Sequence, residues 1–439
     1  MNLDLHGHFW LPAHEAERVR GRLTWNAASG GELTLEGFLW HDGSPSKSAD
    51  LLCGRGLDGT PLALVRSFLR RFQSSAPLTQ HWRVNGAFLG TFDAEPSTHV
   101  LATEVDGLGA FTRTSGLAVQ GSNGARDPVH ITWSPADPPL SLPAGEGRLK
   151  IVDERQLDLD QDRFAVGHVQ HLRLTMPQAD GWSQVAGRLG IAAGLLELLA
   201  DRPMAVRRQW RPSEEEQGCI DHFFRPVVGS APDDPDKVWL TLAHVEGRLG
   251  DALRRWTELA DAQRHLVSLI IEEVRLRRAT NSVDRILRLT RILELLHRHR
   301  HPGATPEDDD EADKVNTALG AVPEELQGWL GDRLGVTIIR LRQRIRETLA
   351  ELNGGLDAVV VEVDLFARTA TKTRNWHTHY GDPKGVATGE YAAYLAVRLW
   401  LVVRAAILLE LGWPPSEAVE LVHCDPNAAW SALKPIIAS

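Results

Sequence analysis

The sequence predicts an α+β multidomain chain: a β-rich, sandwich-like N-terminal domain followed by an all-α helical bundle. Three observations predict it. The chain has 439 residues, more than one ordinary core organises. Its first part, up to about residue 180, carries short alternating or β-rich runs between clusters of Gly, Asn, Asp, Ser and Pro. From Val238 onward the apolar residues recur at helical spacing. The expected division is a β-rich domain over 1–213, a linker over 214–235 and a helical domain over 236–439.

The strands come first. "LTLEGFLW" places Leu33 and Leu35 on one face of a half-buried strand, and "HWRVNGAFLG", "HVLATEV", "GRLKIV" and "HVQHLRLTM" read the same way. Many short strands between turn signals suit a sandwich or a barrel-like sheet. The Pro- and Gly-rich stretch Ser134 to Gly147 reads as a loop. Ser183 to Asp201 turns helical and is expected as a helix added to the sheet domain. Arg211 to Trp239 carries four prolines and a charge run, which marks the boundary.

The helices follow. Ile286, Leu289, Leu293 and Leu296 form one stripe, with Asn281 or Ser282 as its N-cap. Ile338, Leu341, Ile345 and Leu352 form another, beyond the acidic loop "HPGATPEDDDEADK". Segments from about Trp239 to Arg278 and from Gly389 to Leu411 complete at least four long helices, enough for a bundle.

Composition narrows the function classes. The chain is 43% hydrophobic and 24% charged, with a formal net charge of −10. An acidic chain is not a sequence-blind coat for nucleic acid, where basic charge supplies most of the affinity. Cys53, Cys219 and Cys424 lie far apart and form no CxxC pair, which fits a reducing cytoplasm. The N-terminal "MNLDLHGHFWLPAHE" has neither the basic nor the apolar region of a signal peptide. Tyr391 to Leu411 has the length of a membrane span, but Arg398, Arg404 and Glu410 interrupt it. Each such charge costs about 2.5–3.5 kcal/mol near a bilayer centre, so a buried bundle helix is expected and no membrane partner.

Several candidate sites fail on their chemistry. Asp158, Asp160 and Asp162 open like a calcium loop, yet Arg163 stands where the turn needs Gly and Val169 where the loop needs Glu. His6 and His8 share a strand face without a further ligand set, and no metal or cofactor is expected. His297 to His301 ends a helix, where cations complement the dipole. No phosphate loop, nucleophile elbow or HExxH is present. Arg340, Arg342, Arg344 and Arg346 make a basic band, read as a solvated face bridged to Glu347 and Glu351 or as a phosphate-tracking surface.

"TKTRNWHTHYGDPKG", Thr371 to Gly385, remains: a polar, titratable run between two apolar segments. Metal-free RNA cleavage needs a base for the ribose 2′-OH, an acid for the leaving 5′-oxygen and a cation for the phosphorane. Histidine, with an ordinary pKa near 6.5, serves either proton transfer. Arginine is always charged and grips phosphate in two-pronged fashion. Arg374 and His379 supply both types, and Asn375 can orient either. On a regular helix Arg374 and His379 point about 140° apart, so they converge only if the helix ends there or a second copy completes the site. Gly381 offers a C-cap, and Asp382-Pro383 disfavours further helix.

"RNWHTHYG" within an all-α domain resembles the HEPN signature, an Arg, a polar residue, three residues and a His. "TKTRNWHTHY" is similar to the ApeA-like branch of that superfamily. The N-terminus resembles the ApeA N-terminal domain through the run Gly7 to Pro12 and the strand Gly21 to Thr24. The resemblance implies a C-terminal HEPN bundle that dimerises with its Arg/His motifs facing each other. It implies a metal-independent endoribonuclease that leaves 2′,3′-cyclic phosphates and acts in anti-phage defence by abortive infection. Arg374 and His379 would then be catalytic, with Asn375 as the polar residue of the motif. Lys372, His377 and Tyr380 lie outside the minimal motif and are held as substrate contacts. The partners implied are RNA, a second copy of the chain and a phage-derived trigger on the N-terminal domain, which would sense or restrain. The rival reading is a non-catalytic HEPN module for binding and dimerisation, with recognition left to the β-domain. An RNA enzyme of acidic net charge must concentrate its cations, for which Lys372, Arg374 and the Arg340–Arg346 helix are the candidates.

Overall fold

The computed structural model describes residues 2–12, 14–26, 30–41, 44–90, 97–113, 117–120, 130–133, 140–160, 163–212, 220–224, 238–304, 317–334, 339–380, 383–425 and 427–428. They fall into two compact units, Met1–Thr257 and Glu258–Ser439. The stretch 214–235, expected as a linker, lies outside the described residues except for a strand at Ile220–Phe224. Cys219, Asp162, Ile338, Gly381 and Asp382 also lie outside them.

The first unit is built on one antiparallel sheet of twelve strands. In chain order they are β1 (Asn2–Trp10), β2 (Val19–Asn26), β3 (Gly30–Leu35), β4 (Ser48–Gly56), β5 (Pro61–Gln73), β6 (Thr79–Leu89), β7 (Ser97–Val105), β8 (Ser141–Ala144), β9 (Gly147–Asp160), β10 (Arg163–Gly181), β11 (Val206–Arg211) and β12 (Ile220–Phe224). The spatial order is β8-β9-β10-β7-β11-β12-β6-β3-β2-β1-β4-β5. β5 also pairs with β6, so β6-β3-β2-β1-β4-β5 closes into a six-stranded barrel. Of the sandwich and barrel alternatives left open by the sequence, this half takes the barrel, which removes its edges. Leu33 and Leu35 are fully buried in its core with Phe9, Leu23, Leu52, Trp82 and Val84.

Three glycines set the closest approach in the barrel wall. Gly7 on β1 faces Gly21 on β2 and Gly56 on β4. A Cβ at Gly7 would lie 2.3 Å from the Arg55 carbonyl oxygen, and one at Gly21 2.5 Å from that of Thr34. Only backbone without side chains fits at such a crossing.

The remaining strands extend the sheet beyond the barrel. α1 (Leu108–Thr112) and α2 (Trp182–Ala200) join them, and α2 packs on β7 and β10 much as the sequence predicts. Trp182 meets Phe88 of β6 edge-on, with ring centroids 5.0 Å apart. The expected loop over Ser134 to Gly147 is corrected in part: Ser141–Ala144 is a strand paired with Gly147–Lys150. It is the outermost strand, where Pro143 costs no ladder bond. Asp158 and Asp160 lie in β9, not in a calcium loop. His6 and His8 are exposed on the outer face of β1.

The helices continue with α3 (Leu242–Ala262), α4 (Arg264–Leu276), α5 (Ser282–Arg300), α6 (Glu324–Leu334), α7 (Leu341–Ala350), α8 (Asp357–Val360), α9 (Val363–His379), α10 (Gly389–Glu410) and α11 (Pro415–His423). The helical segment expected from about Trp239 to Arg278 holds two helices, α3 and α4, parted at Gln263. Within the first unit Trp256 of α3 donates from Nε1 to the Ile191 carbonyl at 2.9 Å.

In the second unit α5 is the central helix, packed against α4, α7, α9 and α10. Asn281 is its N-cap, accepting the Asp284 N–H at 2.9 Å. Ile286, Leu289, Leu293 and Leu296 are buried along it. Leu341, Ile345 and Leu352 are buried as the second stripe predicts. α10 is long and apolar enough to cross a membrane, yet 78% of its most apolar window is buried within the chain. Its Arg398 is wholly buried and donates from Nε to the Val359 carbonyl at 2.9 Å, and its Arg404 pairs with Asp425.

The polar side chains of α5 are matched inside the bundle. Arg285 and Arg288 grip the buried Glu273 carboxylate of α4, at 2.7 and 2.8 Å. His297 to His301 does more than complement a dipole. His299 approaches Glu410 at 3.3 Å, and Arg300 and His301 both engage Glu351. The Arg344 guanidinium can only donate, so at 3.0 Å it fixes His297 Nδ1 as acceptor and leaves Nε2–H to donate to Glu347. A further proton on His297 would set two cations face to face. Burial therefore holds the imidazole below the ordinary histidine range, and Arg344 and His301 push the same way against Glu347.

Two outcomes follow. Gly7→Ala should cost about 1–3 kcal/mol by forcing the barrel wall apart, read as a lowered denaturant midpoint; an unchanged midpoint contradicts the close approach. A depressed histidine pKa means the unfolded chain binds the extra proton, so stability is full above the unfolded value near 6.5 and declines as pH falls below it. Unfolding free energy should drop between pH 7.5 and pH 5.5, and His297→Gln should reduce that drop relative to the parent.

Candidate active site

α9 carries Lys372, Arg374, Asn375, His377 and His379, and Tyr380 follows it directly. Glu362 caps its N-terminus, accepting the N–H groups of Asp364 and Leu365 at 2.9 Å each. Phe366, Ala367, Thr369, Ala370 and Thr373 are its buried side, turned to α5 and α7. That stripe repeats at helical spacing and fixes the roll of the helix. The buried Thr373 hydroxyl accepts the Ala387 N–H at 2.9 Å, and Lys372 Nζ donates to the Lys384 carbonyl at 3.1 Å. The chain after the helix is thereby drawn back along it.

The roll decides what each candidate residue meets. Arg374 stands on the shoulder of the buried side, partly exposed. Its Nη2 lies 3.8 Å from Glu294 of α5, and its Nη1 donates to Asn375 Oδ1 at 3.0 Å. The Arg374 carbonyl accepts from Thr378 Oγ1 at 2.7 Å. Asn375 and His379 lie on the solvent side, four residues apart and therefore on one face. His379 is exposed and makes no hydrogen bond or ion pair among the described residues. His377 is half-buried, edge-on to Trp376 with centroids 4.5 Å apart. Lys372 is exposed on the helix flank.

The structure thus joins Arg374 to Asn375 and sets His379 on the face of Asn375 but away from Arg374. Because the helix is continuous to His379, Arg374 and His379 diverge by about 140° around its axis. The C-cap expected at Gly381 falls outside the described residues. Tyr380 itself takes the left-handed conformation, φ 51° and ψ 46°, and donates its N–H to the Trp376 carbonyl at 2.7 Å. Two contributors escaped the sequence reading. Glu294 is an unremarkable acid on the α5 pattern, and Thr373 is a small polar residue within a polar run. Only the packing of α9 on α5 reveals their roles.

The basic band beside the site is corrected. Arg344 is buried and serves His297 and the Ile339 carbonyl. Arg342 and Arg346 both reach Asp364 at 3.2 Å. Glu347 and Glu351, their expected partners, turn to His297, Arg300 and His301. Two of the α7 cations therefore share one carboxylate, and the third is turned inward. Among the described residues no group of three or more His, Cys, Asp or Glu side chains is placed to hold a metal ion.

Residues 4–256 match the family model for ApeA N-terminal domain 1, and residues 287–417 match that for Apea-like HEPN. No curated protein and no solved structure matches the chain. The second match takes in all of α9, and the first covers more than half of the chain. With a β-barrel unit ahead of a helical bundle, and both models met in that order, the chain belongs to the ApeA family, with an ApeA N-terminal domain 1 followed by an Apea-like HEPN domain.

Proposed function

We propose that the chain is a metal-independent endoribonuclease that acts in anti-phage defence by abortive infection. The observation that carries it is Arg374, Asn375 and His379 on one helix of an Apea-like HEPN domain, with His379 open to solvent. HEPN domains are generally associated with RNase activity, which supports the class of reaction.

In the proposed reaction a base takes the proton of a ribose 2′-OH, and that oxygen attacks the adjacent phosphorus. The 2′-O–P bond forms and the P–O5′ bond breaks, giving a 2′,3′-cyclic phosphate. An acid protonates the departing 5′-oxygen. His379 serves one of the two proton transfers. Arg374 stabilises the charge on the phosphorane, and Asn375 holds the guanidinium. Lys372 and His377 lie along the same helix as contacts for the RNA backbone.

The divergence of Arg374 and His379 supports a site shared by two copies. A phosphate held by Arg374 on the α5 side of one helix takes its proton carrier from the exposed His379 of another. Such a pair is isologous, and each copy lends the other what it lacks. The N-terminal barrel unit would read a phage-derived trigger and release the nuclease, and the cytoplasm is the compartment that holds both RNA and trigger.

The test is cleavage of RNA by the full chain in EDTA, with fragment ends mapped. Wild type should leave cyclic phosphates, and Arg374→Ala and His379→Ala should each lower the rate by about 10²–10⁴-fold. Both side chains are accessible, so each variant should stay within about 0.5 kcal/mol of parent stability. Cleavage that survives both substitutions places the chemistry elsewhere. RNA binding without cleavage, even in extract from infected cells, favours the non-catalytic binding module.

A further inference from the structure

Tyr380 carries two costs that the fold does not repay. A bulky residue at positive φ is strained where Gly or Asn would not be. Its side chain is also 81% exposed, the most open of the large apolar side chains on the described surface. It gains no burial, and its hydroxyl makes no hydrogen bond among the described residues. A C-cap alone would be better served by glycine. Strain kept at an exposed aromatic points to a task outside the fold.

The surroundings say what the task is. Tyr380 follows His379 directly, in a left-handed turn at the helix end. Trp376 props it edge-on, with centroids 6.3 Å apart and planes at 69°, and Trp376 is itself edge-on to His377. Edge-on support leaves a face of the tyrosine ring open. In the shared site proposed above, Arg374 of the other copy brings its phosphate to His379, the residue next to Tyr380. An open aromatic face beside phosphate-binding cations is how proteins hold unpaired nucleotides: the base stacks while the cations take the backbone.

We propose that Tyr380 is a stacking platform for an unpaired nucleobase of the RNA, next to the phosphate presented to His379. The inference rests on the ribonuclease reading above and adds to it: the substrate is single-stranded at the cleaved step. The platform accepts bases by their faces, so it grips sequence-tolerantly and selects against duplex.

The experiment uses the full-length protein and a short oligoribonucleotide carrying 2-aminopurine at the cleaved step. One version is cleavable, and one is 2′-O-methylated so that binding is read without reaction. Tyr380→Gly relieves the backbone strain and should be at least as stable as the parent, so any loss is not a folding failure. It should abolish the fluorescence quench on the uncleavable RNA and raise KM by roughly 5- to 150-fold, with kcat changed less. Tyr380→Phe should recover the affinity lost in Tyr380→Gly, because the ring and not the hydroxyl acts. A Gly variant with parental KM and quench overturns the platform, while wild-type cleavage leaves the nuclease reading standing. A change of oligomeric state in the Gly variant overturns it in favour of a contact between copies. Quenched binding by a wild type that never cleaves keeps the platform and removes the nuclease.

Discussion

Burial of Phe366, Thr369, Ala370 and Thr373 against α5 and α7 is the constraint from which the site follows. Once that stripe is inside, every other position on α9 is assigned. Arg374 falls on the shoulder facing Glu294, and Asn375 and His379 fall on the open side. The stripe cannot slip by one residue, because that would bury Arg374 and expose Thr373, whose hydroxyl already satisfies the Ala387 N–H. A charge with no full partner in a dry core costs several kcal/mol, far more than any local preference of the helix. Packing, not the motif, therefore aims the motif.

Magnitude decides what Glu294 does to Arg374. The pair is 3.8 Å apart, with side chains 33% and 21% exposed. An ion pair so open to water contributes about 0–1 kcal/mol. That is enough to bias the guanidinium toward α5 and too little to keep it from a phosphate, which offers it two charged hydrogen bonds. Glu273 is the contrast. Its carboxylate is fully buried between Arg285 and Arg288, so it ties α4 to α5 and has no freedom to exchange partners. The bundle thus uses an enclosed ion pair to stay rigid, and leaves Arg374 in a looser one at the place where chemistry is expected.

Much of this was legible in the sequence because the relevant signals are local. Helical spacing at Ile286, Leu289, Leu293 and Leu296 depends on neighbours a turn apart, and Asn281 caps its own helix. The alternation at Leu33 and Leu35 is equally short in range. What failed was non-local or positional. Arg344 shares a helix with Arg342 and Arg346, yet packing sends it inward and them to Asp364. Ser141–Ala144 read as loop because Pro143 forbids a central strand, and only its place at the sheet edge admits it. The closure of β5 onto β6 and the meeting of Gly7 with both Gly21 and Gly56 depend on pairings that no window of sequence displays. At the candidate site the 140° divergence of Arg374 and His379 was legible, and the roll of α9 against α5 was not. The left-handed turn at the end of α9 falls on Tyr380, an aromatic that no turn preference singles out.

In the reaction proposed above, Arg374 and His379 work on one phosphate only when two copies meet. Mixing Arg374→Ala chains with His379→Ala chains, after separating and re-forming the dimer, tests it most directly. In a mixed pair one composite site loses both groups and the other keeps both. Random pairing makes about half of the dimers mixed, so RNA cleavage should return to roughly a quarter of the wild-type rate from two nearly inactive proteins. A mixture no more active than its components, with mixed dimers present, would contradict the shared site.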